Sequence, residues 1–427
     1  MKKIYQIKEY GSFTKGSQIE GYISLPNDTF DELENFILSN SFKETSALDI
    51  MKLSVQRGIG KIITAQNYVG MITMNEGTII EILPKVYSKE EENEQKTKKL
   101  FIDMLKSFKE FPYKNFQMAN MDISKMNIFE IFIRMFIDEV FYIVKRGIKS
   151  DYQRVSENKP FLKGKIDFSK QIKYNLIHKE RFFICYDDYN TNCIENRIIK
   201  ETLLYLYKVT SSSKNKKDIK ILLNNFENVS TLKVYSKVDF DNLVIDRNKK
   251  YYERAIMWSE IFLFGKSFTS FSGSKISFAL LFPMEKLFEK YIAKQLKLVI
   301  DNNKYSISFQ DGRYHLFEEP QKKFLIKPDI VLKDKINNYI YVMDTKWKLL
   351  SEKNNNYGIS QSDIYQMYAY NKKYDSRNVT LLYPLTPNID KNKKIRFYSN
   401  DGARINVEFI DLYNVKDTLK QIMSNMN

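Results

Sequence analysis

The spacing of apolar positions changes twice along this chain. Up to about residue 95, short β-branched runs alternate with turns. "GYISLP" reads as a strand, and "NDTFDELENFILSN" as a helix with Asn27 or Asp28 as candidate N-cap. "GKIITAQNYVGMITMNEGTIIEILPKV" reads as strands with a turn at Asn75-Glu76-Gly77. The charged "YSKEEENEQKTKK" suits either a solvated linker or the first turns of the next helix.

From about residue 96 to 268 the apolar spacing is mostly helical. "NIFEIFIRMFIDEVFYIVKRGI" is apolar around most of its circumference, which predicts a buried helix with Gly147 as C-cap. "CIENRIIKETLLYLYKVTSSSKNKKDIKILLNNF" predicts two helices broken at Ser211–Ser213, and "YYERAIMWSEIFLFG" a further one. No internal repeat is visible.

From about residue 269 the order becomes helix, three strands, helix, strand. A strand-like entry leads into the amphipathic "FPMEKLFEKYIAKQLKLVIDNN". "YSISFQD", "KKFLIKPDIVLKD" and "YIYVMDTKWK" are the three strand candidates. "SDIYQMYAYNKKY" is a helix opened by Ser362 or Asp363, and "NVTLLYPL" a buried strand. "KIRFYSNDGARINVEFIDL" is a hairpin turning near Asp401-Gly402. The fold class expected is α+β and multi-domain: a β-rich domain over residues 1–95, a mostly helical one over 96–268, and an α/β one over 269–427.

Composition adds a partner. The formal net charge of +16 favours a polyanion, nucleic acid foremost. Two cysteines, Cys185 and Cys193, without metal-ligand spacing, point to a reducing compartment. Only two histidines, His178 and His315, leave a His-based metal cage or a Ser-His-Asp triad poorly supplied. The N-terminal "MKKIYQIKEYG" lacks the apolar stretch of a signal peptide, and no run is long enough to span a bilayer. The expectation is a cytoplasmic protein with no membrane contact.

Candidate chemistry lies in "IKPDIVLKDKINNYIYVMDTKWK", residues 326–348. A hairpin with a Lys335–Asn338 loop pairs Asp334 with Tyr339. Counting back sets Asp329 across from Asp344. Opposed residues have Cβ atoms roughly 5 Å apart, so the two carboxylates can share one divalent cation. Asp344 and Lys346 are two apart and share a strand face with Val342, while Met343, Thr345 and Trp347 point away. Acids that hold Mg²⁺ beside a lysine suit phosphodiester hydrolysis. Asp218-Ile219-Lys220 and Glu94-Gln95-Lys96 repeat the acid-x-Lys spacing in polar stretches, so the apolar strand context is what singles out Asp344. Glu289, on the preceding helix, is a candidate third metal ligand, with Glu285 one turn earlier as its rival. Gln366 and Tyr370 share a face of the following helix.

Helix, "KPD", "MDTK" and "QMYAY" together resemble the PD-(D/E)xK nuclease superfamily, in its branch with a Gln-x-x-x-Tyr helix. "NYVGMITMNEGTIIEILPKVY", "KRGIKSDYQRVSENKPFLKGKID", "NRIIKETLLYL" and "FPMEKLFEKYI", in that order, resemble the McrC family, the nuclease subunit of McrBC-type restriction systems. The resemblance implies a restriction-endonuclease-like C-terminal domain with Asp329, Asp344, Lys346 and Gln366 as catalytic residues. Metal binding falls to Asp329, Asp344 and Glu289, with Mg²⁺ as cofactor. It also implies a McrB-like AAA+ GTPase partner, double-stranded DNA as substrate, and docking and GTPase stimulation by the N-terminal and middle parts. GTP belongs to the partner, in accord with the lack of a GxxxxGK[ST] loop here. The alternative is a DNA-binding adaptor that activates the motor without cutting. "YDDYNTNCIEN" departs from the family's acid-rich segment at Asp187 and Asp188. Arg146, Arg154, Lys163 and Lys165 are basic positions that can face DNA or the motor.

Overall fold

The computed structural model describes residues 3–39, 47–74, 77–86, 91–108, 127–231, 240, 243, 250–264, 276–390 and 393–426. The chain forms two compact units. One comprises Met1–Phe111, Phe268–Ile276 and Leu281–Asn427, and the other Pro112–Ser267 and Ser277–Leu280. The first 95 residues, which read from sequence as a separate domain, therefore pack in the same unit as the C-terminal part.

In that unit the N-terminal segment builds two small sheets. Strands Ile23–Leu25, Ser12–Lys15, Gly60–Ala65 and Met51–Gln56 lie side by side in one. Strands Ile4–Lys8, Ile79–Leu83 and Tyr68–Met74 lie side by side in the other. All five residues of Ile79–Leu83 are buried. Burying an aliphatic side chain stabilises by roughly 1.5–3 kcal/mol, so such a run holds its strand in the core. Residues 75 and 76 of the expected turn lie outside the described residues. The helix read from "NDTFDELENFILSN" spans Asn27–Ser39. Of the charged stretch, residues 87–90 lie outside the described residues, and the rest begins a helix, Glu91–Leu105.

The C-terminal part is a six-stranded mixed sheet. Its order is Tyr305–Phe309, Ile330–Asp334, Ile340–Thr345, Asn378–Pro384, Arg404–Ile410 and Ile395–Tyr398. Asn378–Pro384 has parallel neighbours on both sides and is almost wholly buried, which explains its continuous apolar run. Helix Gln361–Tyr374 covers one face, its Met367, Tyr370 and Tyr374 packing on Val331, Val342 and Val379. Helices Met284–Val299 and Val415–Ser424 pack on the sheet as well as on each other. Ser360 caps helix Gln361–Tyr374, two residues earlier than the sequence suggests; its Oγ accepts from Asp363 N. The segment read as one strand before Asp334 is broken: Lys323–Leu325 pairs with His315–Phe317 in a separate ribbon.

The second unit holds helices Ile128–Arg146, Ile194–Val209, Ser213–Asn225 and Glu253–Phe264 around Phe132, Trp258 and Phe262. Gly147, at φ 91°, ends the first helix as expected, in a conformation that favours glycine. Ser212 caps the third. The sequence reading missed a three-stranded sheet here, made of Asp151–Lys159, Phe182–Asn190 and Lys165–Ile166. Asp151–Lys159 is "DYQRVSENK", half-buried on one face and exposed on the other, with too few apolar residues to show a period.

Candidate active site

Hairpin register sets the geometry. Val331 pairs with Val342 and Lys333 with Ile340, and Asp334 N donates to Tyr339 O across the loop. Ile330 pairs with Met343, so the next position outward sets Asp329 against Asp344. The Asp329 carboxylate is held by Thr345, which strand alternation alone points away from it: Thr345 donates to its Oδ2 from both N, at 2.8 Å, and Oγ1, at 2.7 Å.

Asp344 is 2% exposed. Lys346 Nζ stands 2.5 Å from Asp344 Oδ2, yet that buried oxygen accepts no well-directed hydrogen bond. Lys346 Nζ donates to Gln366 Oε1 at 2.9 Å, and Gln366 Nε2 to Tyr370 Oη at 2.7 Å. The helix spacing of four thus becomes a relay that holds the lysine. Burial, the largest single influence, works to lower the lysine's pKa, but the Asp344 charge and hydrogen bond together with the Asp363 and Asp329 charges outweigh it, and the net shift is upward. Lys346 is therefore an ammonium at neutral pH. Burial first, then the Asp329 charge, raises the Asp344 carboxyl.

Glu289 joins from helix Met284–Val299 through a residue the sequence reading missed. Gln310 Nε2 donates to Glu289 Oε1 at 2.5 Å and to Asp329 Oδ1 at 3.0 Å. Burial and the Asp329 charge push Glu289 up to about 7. Glu285 is exposed, and its charge acts on Glu9, Tyr10, Tyr68 and Lys85. Glu289 is thus the one of the two that Gln310 links to Asp329. Gln310 follows strand Tyr305–Phe309 at φ 50°, with its N bonded to Asp329 O. A polar residue at a strand end was its only local signal.

The structure thus gathers Asp329, Asp344, Lys346, Gln366 and Glu289 in one cluster. Hard carboxylate oxygens gathered around a buried acid suit a divalent cation. Among the described residues no three such groups already sit close enough to cage an ion, and the Gln310 amide stands between two of the acids. Of the other acid-x-Lys triplets, Asp218 pairs with Arg134, and Glu94 and Lys96 lie on helix Glu91–Leu105. Asp188 lies 3.6 Å from Lys163, which also covers the Tyr186 ring, and Asp187 pairs in register with Arg154.

Residues 63–384 match the family model described as McrBC 5-methylcytosine restriction system component. The Type IV methyl-directed restriction enzyme EcoKMcrBC of Escherichia coli (strain K12) is 29% identical over 140 residues, 32% of this chain. The match spans 40% of that relative's length. The fold resembles a chain of the tetradecameric assembly of Thermococcus gammatolerans McrB AAA+ hexamers with bound McrC. The TM-score is 0.74 at 19% identity, covering 99% of this chain and 100% of the other. A chain of the Thermococcus gammatolerans McrBC complex matches 69% of this chain and 87% of its own length, with a TM-score of 0.50 at 19% identity.

Proposed function

The chain belongs to the McrBC family of 5-methylcytosine restriction system components, and on that premise we propose that it is the DNA-cutting subunit of a GTP-driven restriction complex. In this reading it is a Mg²⁺-dependent endodeoxyribonuclease whose residues 269–427 have the PD-(D/E)xK fold. The observation that carries it is the meeting of Asp329, Asp344 and Lys346 at one end of the mixed sheet.

Asp329 and Asp344 would hold the cation, with Glu289 as a further oxygen donor. Mg²⁺ supplies Lewis-acid polarisation of a phosphate and a more acidic bound water. Lys346, fixed by Asp344 and Gln366, places a positive charge where the scissile phosphate gathers negative charge. Held there, its ammonium can orient the attacking water and neutralise charge gathering on the phosphate. Thr345 keeps the Asp329 carboxylate turned toward the site.

The partner would be a McrB-like AAA+ GTPase, which binds the GTP, and the substrate double-stranded DNA. Residues 1–95 and 96–268 would dock on that motor. The likeness in fold to a chain of the McrB–McrC assembly supports this. Among the described residues no helix is long and apolar enough to cross a membrane. Free Cys185 and Cys193 fit a reducing cytoplasm.

The second reading, an adaptor that activates the motor without cutting, rests on the Gln310 amide between Glu289 and Asp329. One experiment separates the two. Asp344→Ala should abolish plasmid cutting by the reconstituted pair with Mg²⁺ and GTP, while GTPase stimulation persists. Cutting that survives the substitution rejects the site; a wild-type pair that hydrolyses GTP without cutting supports the adaptor.

A further inference from the structure

One residue past Lys346, Trp347 is 2% exposed, and two residues from the far N-terminal part of the chain grip it. Trp347 Nε1 donates to both carboxylate oxygens of Glu9, each at 3.0 Å. Lys85 N donates to Glu9 Oε2 at 2.8 Å, and Lys85 Nζ to the Trp347 backbone carbonyl at 2.5 Å. The Lys85 ammonium also lies 5.3 Å from the centres of the Trp347 and Tyr10 rings. On the other side the indole meets Phe288, of the helix that bears Glu289, at 5.3 Å between ring centres.

Glu9 and Lys85 stand next to each other because of strand register. Lys8 pairs with Leu83 in the parallel ladder, and Glu9 N donates to Leu83 O. Each group satisfies another that burial would otherwise leave costly. The Trp347 carbonyl lies beyond the end of strand Ile340–Thr345, and the Lys85 ammonium supplies its donor. Glu9, 4% exposed, receives the indole N–H and the Lys85 amide N–H. Lys346 N donates to Leu382 O, so the backbone of Lys346 is fixed by the sheet on one side and by the gripped tryptophan on the other.

We propose that Glu9 and Lys85 are positioning residues for Lys346, acting through Trp347. Neither touches the carboxylates of the site. They hold the strand end at the depth and rotation that aim the Lys346 ammonium between Asp344 and Gln366. The N-terminal sheet is then a structural part of the cutting site. This inference rests on the nuclease reading above.

The test uses the full chain reconstituted with its motor partner, comparing Lys85→Met, Glu9→Leu, Glu9→Gln and the mild Trp347→Phe, which keeps a ring in place. Expected is a roughly 10- to 100-fold fall in kcat for DNA cutting in Lys85→Met, Glu9→Leu and Trp347→Phe, since small displacements of an oriented group cost rate steeply. KM for DNA should stay at its wild-type value, and stimulation of the partner's GTPase should change far less than kcat. Glu9→Gln, which keeps one acceptor, should recover part of the rate. Amine-reactive labelling of Lys346, read by mass spectrometry, should rise in the same variants, and this readout needs no cleavage. Wild-type kcat and labelling in Lys85→Met and Trp347→Phe would overturn the proposal. So would a joint loss of kcat, GTPase stimulation and thermal stability, which marks a purely structural role. A wild-type pair that cuts no DNA rejects the nuclease reading instead, and the labelling still decides whether the grip positions Lys346.

Discussion

At Glu289, burial and like charge act together. Its carboxyl is pushed up to about 7, by burial first and then by the Asp329 charge. A carboxyl with a higher pKa in the folded chain than in the unfolded one stabilises the fold below its unfolded pKa and loses that contribution as pH rises. The window runs from the ordinary 4.5 to about 7. Asp344 is raised in the same sense. Without divalent cations, Tm should therefore fall as pH goes from about 5 to about 8, and added Mg²⁺ should offset the fall by pairing with the ionised acids. Glu289→Gln should flatten the slope without removing it. Scanning calorimetry across that range checks both, and an unchanged slope in the variant would free Glu289 of the role. The pattern of Asp329, Asp344 and Lys346 was legible because acids inside apolar strands are rare. That Gln310 links Glu289, and not Glu285, to Asp329 was not, since both glutamates lie on one helix at plausible spacing.

Elements differ in how much of them their sequence reveals. Helix Gln361–Tyr374 carries Gln366 into the site and packs Met367, Tyr370 and Tyr374 on the sheet. Its start depends on Ser360, whose Oγ also receives Lys348 Nζ at 3.1 Å. Ser360→Ala should cost about 1 kcal/mol, the usual worth of an N-cap. It should appear as a lower Tm, with Gln366 less firmly held and cutting slower. Unchanged Tm and rate would mean that packing alone sets the helix start. The hairpin was legible down to its register because a four-residue loop leaves little freedom in how two apolar strands align. Strand Asp151–Lys159 was not legible, because partial burial of polar residues leaves no period to detect.

At the scale of the molecule, the net charge of +16 predicts weak, salt-sensitive DNA binding by the isolated chain. Affinity should drop at least about tenfold between about 50 and about 200 mM salt as lysine–phosphate contacts give up their counterion release. Fluorescence anisotropy across that series checks it, and a flat response would remove the basic surface from the account. Sequence alone determined most of the helices, the strands of the hairpin and their register, the paired acids with their lysine, and the basic balance. All of these are local or compositional, and period and spacing report such features directly. Tertiary structure alone decided that Gln310 bridges Glu289 and Asp329, and that Glu9 reaches Trp347 from 338 residues away. Contacts of that range form only when separate elements bury polar groups against one another. The requirement to satisfy those groups leaves no periodic trace in either segment.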